Sequence, residues 1–149
     1  MKKYFHKIII IGVVIFLLVQ LYQPARNKSY EQDSSVSFTN TYVVPQSVKN
    51  ILFISCYDCH SNNTNYQWYD LIQPARMFVE MHIAEAKDNI NFDEWGHYSK
   101  RKQANKLDRI SKQIKANEMP LISYTLIHRN AKLSEVQKME LIDWISNME

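Results

Sequence analysis

Glycine is nearly missing: Gly12 and Gly96 are the only two in 149 residues. Phosphate-cradling loops of the Walker or dinucleotide type need several glycines close together, so nucleotide enzymes of those kinds are excluded. Cysteine is equally sparse, at two. A basic excess is also missing from most of the chain. Lys and Arg total 18 against 15 Asp and Glu, and Lys2, Lys3 and Lys7 account for the difference, which leaves the remainder balanced. A nucleic-acid binder normally carries a basic excess across its folded part, so no nucleic-acid partner is expected. No internal repeat is visible, and β-branched alternation is scarce. With 46% hydrophobic and 22% charged residues, the composition excludes both intrinsic disorder and a polytopic membrane protein. The length suits one domain.

What is present begins with an unbroken apolar run from Ile8 to Val19, extended by Leu21 and Tyr22 and preceded by lysines. That is the layout of a secretory signal or signal anchor. No A-x-A-like site follows it and no cysteine lies near it to accept lipid, so residues 1–22 are expected to stay as an uncleaved transmembrane anchor. The run is short for a span of about 20 residues, and Tyr4, Phe5 and the lysine stems are expected to extend it by snorkelling. The positive-inside rule then places the following domain in the periplasm. Residues 23–44 are polar and rich in Ser and Asn (Asn27, Lys28, Ser29, Glu31, Gln32, Asp33, Ser34, Ser35) and read as a tether.

Residues 45–149 read as an all-α domain. Pro45 precedes Val48, Ile51 and Leu52 at helical spacing. A second helix is predicted from Pro74 to about Asn89, with Met77, Met81 and Ala84 on one stripe and Phe78, Ile83, Ala86 and Ile90 beside it. A third covers Lys100 to Lys115, with Ala104, Leu107, Ile110 and Ile114 facing in. The last starts at Ser134, which forms an S-x-x-Q capping box with Gln137 and precedes Val136, Leu141, Ile142, Ile145 and Met148.

Where the first of these helices ends stands Cys56-Tyr57-Asp58-Cys59-His60. C-x-x-C-H is the attachment motif for c-type haem. Two thiols three positions apart on one helical face can each add to a vinyl group of one porphyrin, and the adjoining imidazole reaches the iron as proximal ligand. Three rival readings fit less well. A thioredoxin-like pair would open a helix after a strand, and no βαβ pattern exists. A zinc site would need a second ligand pair at short spacing, which is missing. A disulfide would leave His60 unexplained. One covalent haem c, held by Cys56, Cys59 and His60, is the expectation.

These residues, with Ser-Asn-Asn-Thr-Asn-Tyr-Gln-Trp-Tyr after His60, His82 ahead of Asn91-Phe92-Asp93-Glu94-Trp95, Met119-Pro120-Leu121, Tyr124 through His128, Ala131-Lys132-Leu133-Ser134 and Trp144, carry a resemblance to a known family. From about Pro45 to Met148 the chain resembles the small haem-binding domain family of exported bacterial proteins, seen mostly in the Bacteroidetes. Gln67 stands where that family usually has Pro, and Ala86 where Gly is common; neither departure falls on Cys56, Cys59 or His60. The resemblance implies a monohaem, cytochrome c-like domain.

For the distal iron ligand Met119 leads. It precedes Pro120, which favours extended backbone, and it lies 59 positions after His60, before the final helix. The competing reading is a gap-filling core methionine. His82 and His128 are the alternatives, and bis-His ligation would lower the potential. His6 in the leader and His97 after a turn are poor candidates. Tyr66, Trp68, Tyr69, Trp95, Tyr124 and Trp144 are expected mainly in the core around a large flat cofactor. Electron transfer to a redox partner protein, not itself identified, is the leading function. The alternative is a haem enzyme or a gas or redox sensor with an open distal site, although Arg76 with His82 makes only a speculative peroxidase pair. Lys100 to Lys115 carries seven basic residues against Asp108, whereas Asp58 to Ser99 carries seven acids against Arg76 and Lys87. The basic helix is therefore expected to border the partner's docking surface.

Overall fold

Helices form where apolar residues recur at three- and four-residue spacing, two of them start on a side-chain cap, and the four predicted from the pattern after Pro45 fall close to their expected ends. The computed structural model describes residues 2–29 and 34–148. It contains α1 (Lys2–Val19), α2 (Phe38–Thr41), α3 (Gln46–Ser55), α4 (Tyr57–His60), α5 (Ala75–Asn89), α6 (Lys100–Lys115), α7 (Ile122–Ile127) and α8 (Glu135–Ser146). Short 3-10 turns at Ser34–Val36, Trp68–Leu71, Phe92–His97 and Arg129–Ala131 join them. No strand occurs among the described residues, so the domain is all-α. The Ser134 hydroxyl accepts from the Gln137 amide at 3.3 Å, and Gln137 Oε1 accepts from the Ser134 amide at 2.9 Å, closing the box that starts α8. Ser99 caps α6 through the Lys102 amide.

The core is aromatic at its centre. Trp95 is fully buried and Phe38 is 1% exposed; their rings meet edge to face at 4.7 Å, and Tyr57 stacks on Phe92 at 5.1 Å. Val48, Ile51 and Leu52 of α3, Leu107 and Ile114 of α6, and Leu141 and Ile145 of α8 pack around them. Truncating a buried aromatic of this kind costs about 3–5 kcal/mol.

The described residues differ from expectation in three places. First, buried residues occur ahead of Pro45. Phe38 and Val44 are buried, and Asn27 donates to the Ser61 carbonyl at 2.8 Å and to Thr64 Oγ1 at 2.9 Å, while Lys87 Nζ donates to its Oδ1 at 2.7 Å. The stretch read as a tether is thus docked on both sides of residues 30–33. Glu31, Gln32 and Asp33, on which that reading leaned, lie outside the described residues. Second, the inward face of α5 differs: Met77, Phe78, Met81 and Ala84 are exposed, and Ile83 with Arg76 is buried. Arg76 is buried because its guanidinium donates to the Pro24 carbonyl. Third, Ala104 and Val136 are exposed, and Gln103 joins Leu107 and Ile114 on the buried face of α6, donating to the Trp95 carbonyl at 3.1 Å. Among the described residues no helix is long and apolar enough to cross a membrane. The apolar side chains of α1 are exposed all round. Its far end is fixed to the domain, because Gln20 Oε1 accepts from the Gln73 amide at 2.9 Å and Gln20 Nε2 donates to the Gln73 carbonyl at 3.2 Å.

Candidate functional site

Helix α3 stops at Cys56, whose φ of −128° takes it out of helical geometry. The chain restarts at once as the single turn α4, with the Cys59 and His60 amides donating to the Cys56 carbonyl at 3.2 and 2.9 Å. That turn sets Cys56, Cys59 and His60 along one wall of a cavity of about 370 Å³. Its sides are α5, which contributes His82, Glu85, Ala86 and Asn89 at helical spacing, and α6, which contributes Arg109, Ile110, Gln113 and Ile114. Met119, Pro120 and Leu121 complete the lining with Ile90, Tyr124 and Leu133.

Met119 reaches the cavity because of how α6 ends. Asn117 adopts φ 58°; its amide donates to the Ile114 carbonyl at 3.1 Å, and the Glu118 amide donates to Gln113 at 2.9 Å. This is a Schellman closure, with asparagine tolerating the left-handed conformation where glycine is commonest. The chain reverses there and runs Met119 along the cavity.

The electrostatics of the turn separate its possible chemistries. His60 Nδ1 lies 3.0 Å from both the Ala86 and the Ile90 carbonyls. Carbonyls only accept, so Nδ1 holds the proton and Nε2 keeps the lone pair that a metal needs. Burial lowers the imidazole pKa below its ordinary value, which keeps the ring neutral. Phe92 backs it edge to face at 6.1 Å. Burial pushes the Cys56 thiol up to about 12 and the Cys59 thiol to about 11, with Cys59 and Asp58 respectively adding repulsion. A redox dithiol requires the opposite shift. Both cysteines are free thiols, and no group of three or more His, Cys, Asp or Glu side chains that could hold a metal ion occurs among the described residues. The donor set of two neutral thiols, one imidazole with a fixed tautomer and one thioether, on mostly apolar walls, fits a haem.

The candidates for distal ligand separate. Met119 and His82 line the cavity with His60, whereas His128 lies outside its lining. The His128 ring stacks on Tyr124 at 4.2 Å, and its Nε2 meets the Tyr69 hydroxyl at 3.1 Å. Arg76 is also outside the lining, so the Arg76–His82 pair does not assemble. His97 is exposed at the end of its 3-10 turn, and His6 lies on α1. Of the aromatics, Trp95 is core and Trp68 is 72% exposed. Ala86 proves closer to the site than its place in the sequence implied, because its carbonyl is one of the two that orient His60. In the sequence Arg109 reads only as part of a basic helix face, and no local pattern marks it as a cavity residue; α5 and α6 together line the cavity that it enters.

Comparison with known proteins returned no matching curated protein and no matching solved structure. One family does match, and its match starts at residue 14, well ahead of Pro45, in keeping with the docked segment before α3. Through that match to the haem-binding domain over residues 14–147, the chain belongs to the haem-binding domain family.

Proposed function

We propose that this protein is a membrane-anchored, extracytoplasmic electron carrier with one covalently attached haem c. The observation that carries the reading is the convergence of Cys56, Cys59, His60 and Met119 on one cavity, with His60 already held in the tautomer that offers Nε2. Cys56 and Cys59 would hold the haem through their thiols, each S–H adding across one vinyl group with no atom released, and His60 Nε2 and Met119 Sδ would ligate the iron. The bound group supplies one-electron exchange between ferric and ferrous iron. Ile90, Ile110, Ile114, Leu121 and Leu133 exclude water and so favour the less charged ferrous state.

Residues 1–22 are the proposed anchor, on the apolar run from Ile8 to Val19 with Leu21 and Tyr22 beyond it; the run is shorter than the about 20 residues a spanning helix takes, Tyr4, Phe5 and the lysine stems extend it by snorkelling, and the basic N-terminal end is assigned to the cytoplasmic side. The domain then faces the periplasm, and its partner is a redox protein with an acidic docking surface.

Visible spectra of the haem-loaded protein, oxidised and reduced, test the ligation. A low-spin spectrum with a weak methionine-to-iron band at the red end is expected in wild type, and the band should vanish in Met119→Ala. If that variant keeps its spectrum while His82→Ala turns high-spin, the ligation is bis-His. A high-spin wild type would support the alternative, a haem enzyme or gas or redox sensor with an open distal site.

A further inference from the structure

The cavity wall has a polar stretch that the axial ligands and thioethers leave without a task. Asn89 and Arg109 both line it, with Arg109 Nη2 donating to Asn89 Oδ1 at 3.0 Å. Asn89 is itself held in place, since its Nδ2 donates to the Glu85 carbonyl at 3.0 Å and its backbone carbonyl accepts from Lys106 Nζ. One guanidinium N–H is thus used to fix the fork, and the planar group keeps further donors in a geometry that matches a carboxylate. Besides His60, the lining residues able to carry positive charge are Arg109 and His82; Glu85 is the acid among them.

A haem carries its two propionates on the half of the macrocycle away from the vinyl groups. With the vinyl half tied to Cys56 at the cap of α4 and to Cys59 within it, the carboxylates need partners on another wall. We propose that Arg109, positioned by Asn89, is the anchor for a haem propionate, with His82 as the second polar group on the α5 side. The inference rests on the haem-site reading. It assigns Arg109 to cofactor recognition, a role distinct from steering a partner protein. An arginine bound to a propionate also places positive charge beside the iron, which favours the ferrous form and raises the reduction potential.

The test uses the full-length chain as wild type, Arg109→Gln, Arg109→Lys and Arg101→Gln, the last removing one exposed charge from the same helix outside the cavity lining. In the haem-loaded protein, spectroelectrochemistry should show Arg109→Gln with a more negative midpoint potential than Arg101→Gln, and Arg109→Lys should recover part of the shift. Haem-free protein is then titrated with haem and with its dimethyl ester, whose propionates carry no charge. Wild type should prefer haem by roughly tenfold, the value of one charge-assisted hydrogen bond. That preference should vanish in Arg109→Gln and persist in Arg101→Gln. Equal potential shifts in the two glutamine variants, or an ester discrimination that Arg109→Gln retains, overturns the assignment. A wild type that takes up neither probe and carries no haem when matured overturns the haem-site reading itself.

Discussion

The Tyr124 hydroxyl donates to Asp58 Oδ2 at 2.8 Å, joining α7 to one of the two residues between Cys56 and Cys59. Asp58 Oδ1 accepts in turn from the Asn65 amide at 3.2 Å. Burial and the carboxylate hold the Tyr124 phenol far above its ordinary pKa, so it remains a donor at any physiological pH. Tyr124→Phe removes that donor while keeping the stack on His128. A loss of about 1–2 kcal/mol in urea denaturation is expected, the value of a hydrogen bond to a charged group in a half-buried setting. An unchanged midpoint would show that α7 is held by packing alone.

Thiol reactivity in the haem-free chain follows from burial. With Cys59 raised from 9.0 to about 11 and Cys56 to about 12, the thiolate fraction of Cys59 at pH 8 is about a hundredfold below that of an ordinary thiol. Iodoacetamide should therefore alkylate both residues at least that much more slowly in the folded protein than in urea. Alkylation at equal rates would contradict the burial of the attachment turn.

The imidazole of His60 makes haem-free stability depend on acid. Its folded pKa is lowered from the ordinary 6.5 by burial, so below that value the unfolded chain takes up the proton first and unfolding is favoured. The stability it contributes is fully present above pH 6.5 and is lost as pH falls toward the lowered value. Denaturation midpoints should drop between pH 6.5 and 5 in the haem-free chain. They should drop less in His60→Gln; equal slopes would mean the ring is solvated.

Docking by the basic helix can be tested with its outward charges. Lys106 lies over the Tyr98 ring at 4.4 Å and donates to the Asn89 carbonyl, and Arg109 is bonded to Asn89 Oδ1, so neither is a clean probe of long-range steering. Lys100, Arg101 and Lys102 are exposed at the start of α6. Reversing all three should slow electron exchange with an acidic partner about tenfold or more at low salt, and the wild-type rate should fall steeply as ionic strength rises. A flat salt dependence would make this a solvated face only.

Local signals made much of this molecule legible. Pro74 and the Ser134–Gln137 box mark helix starts, and α6 runs from Lys100 to Lys115 as its periodicity predicts. The attachment turn is legible because its chemistry is contiguous in sequence. Phe38 is not, since α2 is four residues long and lies in a polar stretch too short of apolar residues to show a helical period. Buried Arg76, Gln73 and Gln103 were hidden for another reason: their partners are carbonyls or amides remote in sequence or on another element, such as Pro24, Tyr22 and Trp95. Met77, Phe78 and Met81 show the converse, apolar residues at helical spacing that face outward. Met119 could be picked out beside Pro120, but the Asn117 closure that carries it to the cavity could not.

The central claim is covalent haem on Cys56 and Cys59, and a denaturing gel stained for haem peroxidase activity tests it most directly, because only thioether-linked haem stays with an unfolded chain. Protein produced with working cytochrome c maturation should give a stained band near its 17.7 kDa mass, and Cys56→Ala with Cys59→Ala should abolish it. An unstained wild-type band from such cells would contradict the account.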